Sequence, residues 1–273
     1  MLKQRIITAL ILAPLVLACI LYLPAFPFSI LMALLMLMAA WEWADLSGLN
    51  PSGKKVYVLL LGTAFFASYQ LTFDVQISVL VFAATFWCLI FWWVISFPES
   101  QSYWCSTMRR ALMGAVIIVA AWLSAVLLKQ EPSGAKKIIL LLFIVWGADI
   151  GAYFSGRAWG NSKLAPKVSP GKTWAGAYGG IGASVVALLL FAYLFGLIAD
   201  DSFSQWLQLA FFGLVIAIIS IFGDLAESMV KRYRGVKDSG QLLPGHGGIM
   251  DRIDSLVATL PAYTLLFIYL GRI

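Results

Sequence analysis

Nine long apolar runs, at residues 6–23, 26–45, 56–73, 76–97, 110–128, 138–156, 174–198, 205–227 and 253–270, constrain this chain more than any other feature. Each approaches the roughly 20 residues that a helix needs to cross a hydrocarbon layer about 30 Å thick. Lipid offers backbone N–H and C=O groups no partners, so a spanning segment must satisfy its own. Uninterrupted runs of this length therefore select helices over the alternating strands of a barrel. The fold expected is all-α, a polytopic integral membrane protein with about nine transmembrane helices. With 62% hydrophobic and 12% charged residues, the chain has too little polar surface to cover a soluble globule.

An odd number of spans places the two termini on opposite sides. With the N-terminus inside, fifteen of the nineteen Lys and Arg residues fall in cytoplasmic segments, the bias that cytoplasmic loops carry. The setting expected is a bacterial-type inner membrane. The net charge of +6 sits in short loops, where this bias and anionic lipid head groups account for it. A nucleic-acid partner is therefore rejected, and membrane lipids are retained. Cys19, Cys88 and Cys105 are scattered without metal-ligand spacing and read as small buried hydrophobes or interface thiols. "MLKQR" before an apolar run resembles a secretory signal. No small-residue cleavage site interrupts the run, so an uncleaved first span is expected.

Chemistry is distributed unevenly. Residues 1–128 read as a transmembrane scaffold of Leu, Ala, Phe and Trp. Within it, Glu42 and Asp45 lie three apart on one helical face near the inner end of the second span, where acids are expected simply to stay wet. Residues 129–273 read as a transmembrane catalytic region with cytoplasmic loops at 157–173 and 228–252. No internal repeat relates the two halves, which weighs against an inverted-repeat transporter.

Asp224 stands near the inner end of the eighth run. An ionised carboxylate there needs a cavity, a counter-ion or a metal, which makes it a functional candidate. Asp224, Glu227, Ser228 and Lys231 follow the i, i+3, i+4, i+7 spacing of one helical face, which leads into the charged loop. The blander reading, a Glu227–Lys231 pair on a wet helix end, leaves Asp224 unexplained. The loop supplies Lys231, Arg232, Arg234, Lys237 and Arg252, cations suited to phosphate oxygens. A basic anchor to lipid accounts for the cations, but the interleaved Asp238, Asp251 and Asp254 would weaken one. Hard carboxylate oxygens beside cations fit a Mg²⁺-bound polyphosphate better. "PGHGG" gives backbone amides close access to an anion, with Gly247 and Gly248 after His246. His246 either donates a proton or hydrogen bond to a phosphate or braces the loop. Asp251 and Asp254, at the start of the ninth run, also suit a helix N-terminus as caps.

"PKVSPGKTWAG" contains Gly171-Lys172-Thr173, but Pro166 stands where a nucleotide P-loop needs glycine, and that reading is rejected. Lys163, Lys167, Ser169, Lys172 and Thr173 remain phosphate-contact candidates. Asp149, Tyr153 and Arg157, each one turn apart, form a polar seam leading to the same side. Gly147/Gly151 and Gly176/Gly180 are small-residue pairs of the kind that bring helices close.

From Ser228 to Asp254 the chain reads "SMVKRYRGVKDSGQLLPGHGGIMDRID". This resembles throughout the signature of the phosphatidate cytidylyltransferase (CDP-diacylglycerol synthase) family, and "DIGAYFSGR" and "VSPGKTWAGAYGG" resemble its upstream motifs. The resemblance implies the reaction of CTP with phosphatidate to give CDP-diacylglycerol and pyrophosphate, with the active site facing the cytoplasm. It implies Mg²⁺, with K⁺ as one candidate for a second cation, and a homodimer. The catalytic positions implied are Asp224, Asp251, Lys237 and His246. Those for substrate are Ser169, Lys172, Thr173, Ser228, Lys231, Arg232, Asp238, Gly247, Gly248 and Arg252. The metal would fall to Asp224 and Asp251, with Asp254 as a further candidate.

The residue chemistry agrees with that reaction. Phosphatidate already carries an anionic oxygen, so no strong base is needed; the difficulty is to bring two polyanions together. A CTP-dependent lipid kinase would share such a site but release CDP. A transporter would carry polar residues at mid-membrane in several spans, whereas here they cluster at span ends.

Overall fold

The computed structural model describes residues 2–196, 203–242 and 247–270. Ten helices occupy most of these residues: α1 (Leu2–Tyr22), α2 (Ala25–Ser47), α3 (Pro51–Tyr69), α4 (Phe73–Ile95), the one-turn α5 (Gln101–Trp104), α6 (Thr107–Gln130), α7 (Gly134–Trp159), α8 (Trp174–Leu194), α9 (Phe203–Tyr233) and α10 (Met250–Leu270). Nine of them, all but α5, coincide with the apolar runs. The all-α membrane fold expected from the sequence is the fold found, and the chain is an integral membrane protein.

Among the described residues, six helices (α2, α4, α6, α7, α8 and α9) are long and apolar enough to cross a membrane. The other three long helices are α1, α3 and α10; within α1, Leu10–Tyr22 is an apolar stretch. Pro51, Ser52, Gly53, Lys54 and Lys55 open α3, and Asp251, Arg252 and Asp254 open α10, which shortens the apolar stretch of each.

Local chemistry sets the helix boundaries. Gly48, at φ 81°, ends α2 in the left-handed conformation that suits a residue without Cβ. The Asn50 side chain then caps α3 by accepting the Gly53 N–H at 2.7 Å, with Pro51 in the first turn. Ser106 caps α6 in the same way through the Arg109 N–H.

The core centres on α6, whose apolar stretch is 78% buried against 28% for α8; α6 is thus an inner helix and α8 a lipid-facing one. Some large side chains with polar tips reach the interior where the tip finds a carbonyl, whereas the indole N–H groups of Trp87 and Trp93 are buried without a partner. Trp43 Nε1–H donates to Arg110 O at 2.9 Å, and the Tyr263 hydroxyl to Lys137 O at 2.8 Å. Outward-facing Leu59, Phe66, Phe82, Val186 and Phe211 are more than half exposed, as side chains bathed in lipid are.

The close pair is α7 with α8. A Cβ added at Gly151 would stand 2.5 Å from Gly179 O, and one at Gly180 2.8 Å from Ala148 O. The small-residue pairs in the sequence thus bring two backbones into contact. Between these helices, where the sequence suggests a loop, lies an antiparallel hairpin of β1 (Lys163–Ala165) and β2 (Ser169–Thr173). Pro170 and Gly171 argue against a strand, yet a two-stranded ribbon is all edge, where both are tolerated.

Candidate active site

Two helix ends and the hairpin converge. On the last turns of α9, Asp224, Glu227, Ser228 and Lys231 share a face: Ser228 Oγ–H donates to Asp224 Oδ1 at 3.2 Å, and Lys231 Nζ to Glu227 Oε2 at 2.6 Å. The Glu227–Lys231 pair is not on a wet helix end. The side chains are 1% and 8% exposed, and Lys231 also bonds Asp251 Oδ1 at 2.6 Å. One ammonium therefore neutralises two buried carboxylates, while Glu227 Oε1 is buried without a partner.

Asp251, in the first turn of α10 ahead of its apolar stretch, accepts the backbone N–H groups of Ser239 at 2.9 Å and Gly248 at 2.8 Å on Oδ2. Burial opposes its charge, but Lys231 and these two amides outweigh burial and hold the carboxyl below its ordinary range. The same segment is gripped from the other side by Glu42. Its Oε1 accepts the Ile249 N–H at 2.9 Å, and its Oε2 accepts the Met250 N–H at 2.8 Å and the Ser239 hydroxyl at 3.0 Å. Glu42 is 2% exposed, so the expectation that it stays wet is corrected. It has exchanged water for three protein donors. Asp45 pairs with Lys54.

The hairpin delivers Lys172, whose Nζ lies 2.9 Å from Asp224 Oδ2 and 3.4 Å from Ile221 O. Around these groups open two clefts that share Asp149, Asp224 and Ser255. One, of about 490 Å³, is lined mainly by charge: Asp238, Asp251, Asp254, Lys231 and Arg252 besides the shared acids. The other, of about 430 Å³, has Lys172 and Arg157 among apolar walls from α7, α8 and β1 that include Ala148, Ala152, Ala177 and Leu164. Both lie within the size range of small-molecule sites. Arg157 donates to the Tyr153 hydroxyl at 3.2 Å, which brings the polar seam of α7 to the second cleft.

Thr173 lines the second cleft and is also the N-cap of α8, its Oγ1 accepting the Gly176 N–H at 3.1 Å. Other residues singled out in the sequence sit elsewhere. Arg232 ties α9 to the hairpin by donating to Val168 O at 3.2 Å. Lys237 is exposed, and neither Lys237 nor Ser169 lines a cleft. Lys167 pairs with Glu99 on the surface at 3.5 Å. Gly247, at φ 83°, and Gly248 hold the turn before α10, where a Cβ on Gly248 would strike Ser239 Oγ and the Glu42 carboxylate. His246 lies outside the described residues. Ser239 and Ser255 carry no signal in the sequence, whereas Glu42 stands out there as an acid in an acid-poor half, with solvation as the expectation.

The arrangement can hold an anionic ligand among cations and a cation among carboxylates at one place. Among the described residues, no three Asp, Glu, His or Cys side chains form a ready-made metal cage. The family model for "Cytidylyltransferase family" matches residues 3–270. The chain is 44% identical over 268 residues to the phosphatidate cytidylyltransferase of Pseudomonas aeruginosa, covering 97% of each chain. It is 34% identical over 289 residues to that of Haemophilus influenzae, covering 98% of this chain and 99% of the relative. To that of Thermotoga maritima it is 32% identical over 276 residues, covering 97% and 96%.

Proposed function

The chain belongs to the cytidylyltransferase family and is a nucleotidyltransferase, and on that premise we propose that it is a phosphatidate cytidylyltransferase of phospholipid biosynthesis. It joins CTP and phosphatidate at the cytoplasmic face of a bacterial-type inner membrane, as a homodimer. The observation that carries this reading is the meeting of a charged cleft and an apolar-walled cleft at Asp149, Asp224 and Ser255. A nucleotide polyphosphate suits the first and a lipid phosphate the second.

In the reaction, an anionic oxygen of phosphatidate forms a bond to the α-phosphorus of CTP. The bond from that phosphorus to the oxygen bridging the α- and β-phosphates breaks, and pyrophosphate leaves with the electron pair. No proton need be removed from the nucleophile. Lys172 and Arg157 neutralise the lipid phosphate, while Lys231 and Arg252 face the nucleotide phosphates, so that repulsion between the substrates no longer sets the barrier. Apolar walls on α7 and α8 keep water from competing as nucleophile.

The donor set fits Mg²⁺. Asp224 and Asp251 offer hard oxygens, and Mg²⁺ is ordinarily held by one or two carboxylates and completed by substrate phosphates, which needs no cage of three. Each oxygen of a carboxylate accepts two bonds. Oδ2 of Asp251 is filled by two amides and Oδ1 by Lys231 alone, which leaves Oδ1 open for a cation. Asp224, bonded once on each oxygen, keeps both open, and Asp254 lines the same cleft. The bound metal, with a second cation such as K⁺, would supply charge stabilisation for the phosphate oxygens and the leaving pyrophosphate.

The test is an assay of purified protein in mixed micelles with labelled CTP, phosphatidate and Mg²⁺. CDP-diacylglycerol and pyrophosphate are expected from the wild type, and neither from folded Asp224→Asn or Asp251→Asn. Release of CDP with a phosphorylated lipid would identify a lipid kinase instead. Full activity in either folded variant would remove the metal-ligand assignment.

A further inference from the structure

We propose that Glu42, from the half of the chain otherwise read as scaffold, is a positioning residue for the reaction: it fixes the segment that presents Asp251. The inference rests on the function proposed above for the role of Asp251, and on geometry alone for the grip.

Residues 239 and 248–250 form a platform with two carboxylates docked on it. Ser239 gives its N–H to Asp251 and its hydroxyl to Glu42, Gly248 gives its N–H to Asp251, and Ile249 and Met250 give theirs to Glu42. The Ile249 and Met250 amides belong to the N-terminal end of α10, where helix N–H groups have no partner within the helix and attract an anion. Glu42 thus serves as the cap of α10, supplied from α2.

The loop is shaped around it. Glycines occupy two places where a side chain would collide with the Glu42 carboxylate: a Cβ on Gly240 would stand 2.5 Å from Oε1, and one on Gly248 closer still to Oε2. Loss of this grip leaves Asp251 bonded to amides whose own backbone is free to shift. Lys231, which holds Asp251 from α9, then works against a mobile target.

Glu42→Gln keeps size and shape but puts an NH₂ group against N–H donors. Ser239→Ala removes one of the three bonds and keeps the Ser239 amide that serves Asp251. Two measurements read the consequence. In protein without metal or substrate, trypsin should cut after the exposed Arg234 and Lys237 ~10-fold faster in Glu42→Gln than in wild type, the factor corresponding to one hydrogen bond to a charged group. Ser239→Ala should shift the rate in the same direction by less. In the assay, the Mg²⁺ concentration for half-maximal rate should rise by a similar ~10-fold factor, while KM for phosphatidate stays unchanged.

Wild-type cleavage rates in both variants would overturn the grip. Equal losses of Mg²⁺ and phosphatidate affinity would reduce Glu42 to a general support of the fold. If the wild type makes no CDP-diacylglycerol, the function proposed above falls, whereas the trypsin comparison needs no turnover and still decides whether Glu42 holds the segment.

Discussion

Lys231 gives the sharpest test of the site's electrostatics. Its ammonium lies 2.6 Å from Glu227 Oε2 and 2.6 Å from Asp251 Oδ1, and the three side chains are 8%, 1% and 5% exposed. Lys231→Met keeps most of the unbranched stem but leaves two buried carboxylates facing each other without a counter-charge. Breaking a buried ion pair from one side costs about 3–5 kcal/mol, because the remaining charge stays desolvated. This corresponds to a loss of roughly two to three and a half powers of ten in the folding equilibrium. Glu227→Gln is the opposite perturbation: it leaves one acid for one base and should cost no more than about 1 kcal/mol, the scale of one hydrogen bond. The double variant keeps only Asp251, still served by two amides, and should recover a large part of the Lys231→Met loss as a coupling energy. Unfolding in detergent micelles followed by circular dichroism measures all four proteins. Lys231→Met within about 1 kcal/mol of wild type would refute the charge accounting. So would Glu227→Gln as destabilised as Lys231→Met.

Four further substitutions test particular positions. Gly151→Leu should force α7 from α8 and cost at least about 1–3 kcal/mol by overpacking. Gly171→Ala, whose methyl meets nothing within 4 Å, should unfold with wild type in the same thermal scan. Gly248→Ala drives a methyl into the Ser239 hydroxyl and the Glu42 carboxylate, and should reduce turnover far more than it lowers the unfolding temperature; equal stability and full turnover would refute that. Lys172→Met should weaken binding of one phosphate-bearing substrate by ~10-fold, the scale of a lost hydrogen bond to a charged group. Steady-state kinetics with unchanged KM for both substrates would remove Lys172 from the contacts.

Much of this architecture was legible because membrane helices are coded locally. Each apolar run holds its own length and hydrogen bonding, so nine runs marked nine helices within a few residues. The α9 face was equally readable, since Asp224, Glu227, Ser228 and Lys231 are neighbours by spacing alone. What escaped depends on partners distant in sequence. The Glu227–Lys231 pair looked solvated because nothing in α9 announces that Asp251 closes over it. The second role of Thr173, as the cap of α8, appears only once α8 is known to begin at Trp174. The hairpin hid behind Pro170 and Gly171. Glu42 looked wet because its donors are two backbone amides and a serine on the far side of the chain, and a backbone amide leaves no mark in a sequence.

The separation between Glu42 and its donors also bears on how the protein is made. They stand 197, 207 and 208 positions further along the chain, whereas a membrane chain emerges and inserts from its N-terminus. Glu42 is therefore seated on α2 well before its partners are synthesised. An unpartnered carboxylate is costly in hydrocarbon. Near the C-terminal end of α2 it can keep its water during this interval, and surrender it only when α10 arrives. The arrival of α10 is then what brings its first amides to Glu42 and Asp251 under Lys231. A chain truncated before α10 would keep most of its spanning helices and a hydrated Glu42, and would lack the platform on which Asp251 is presented.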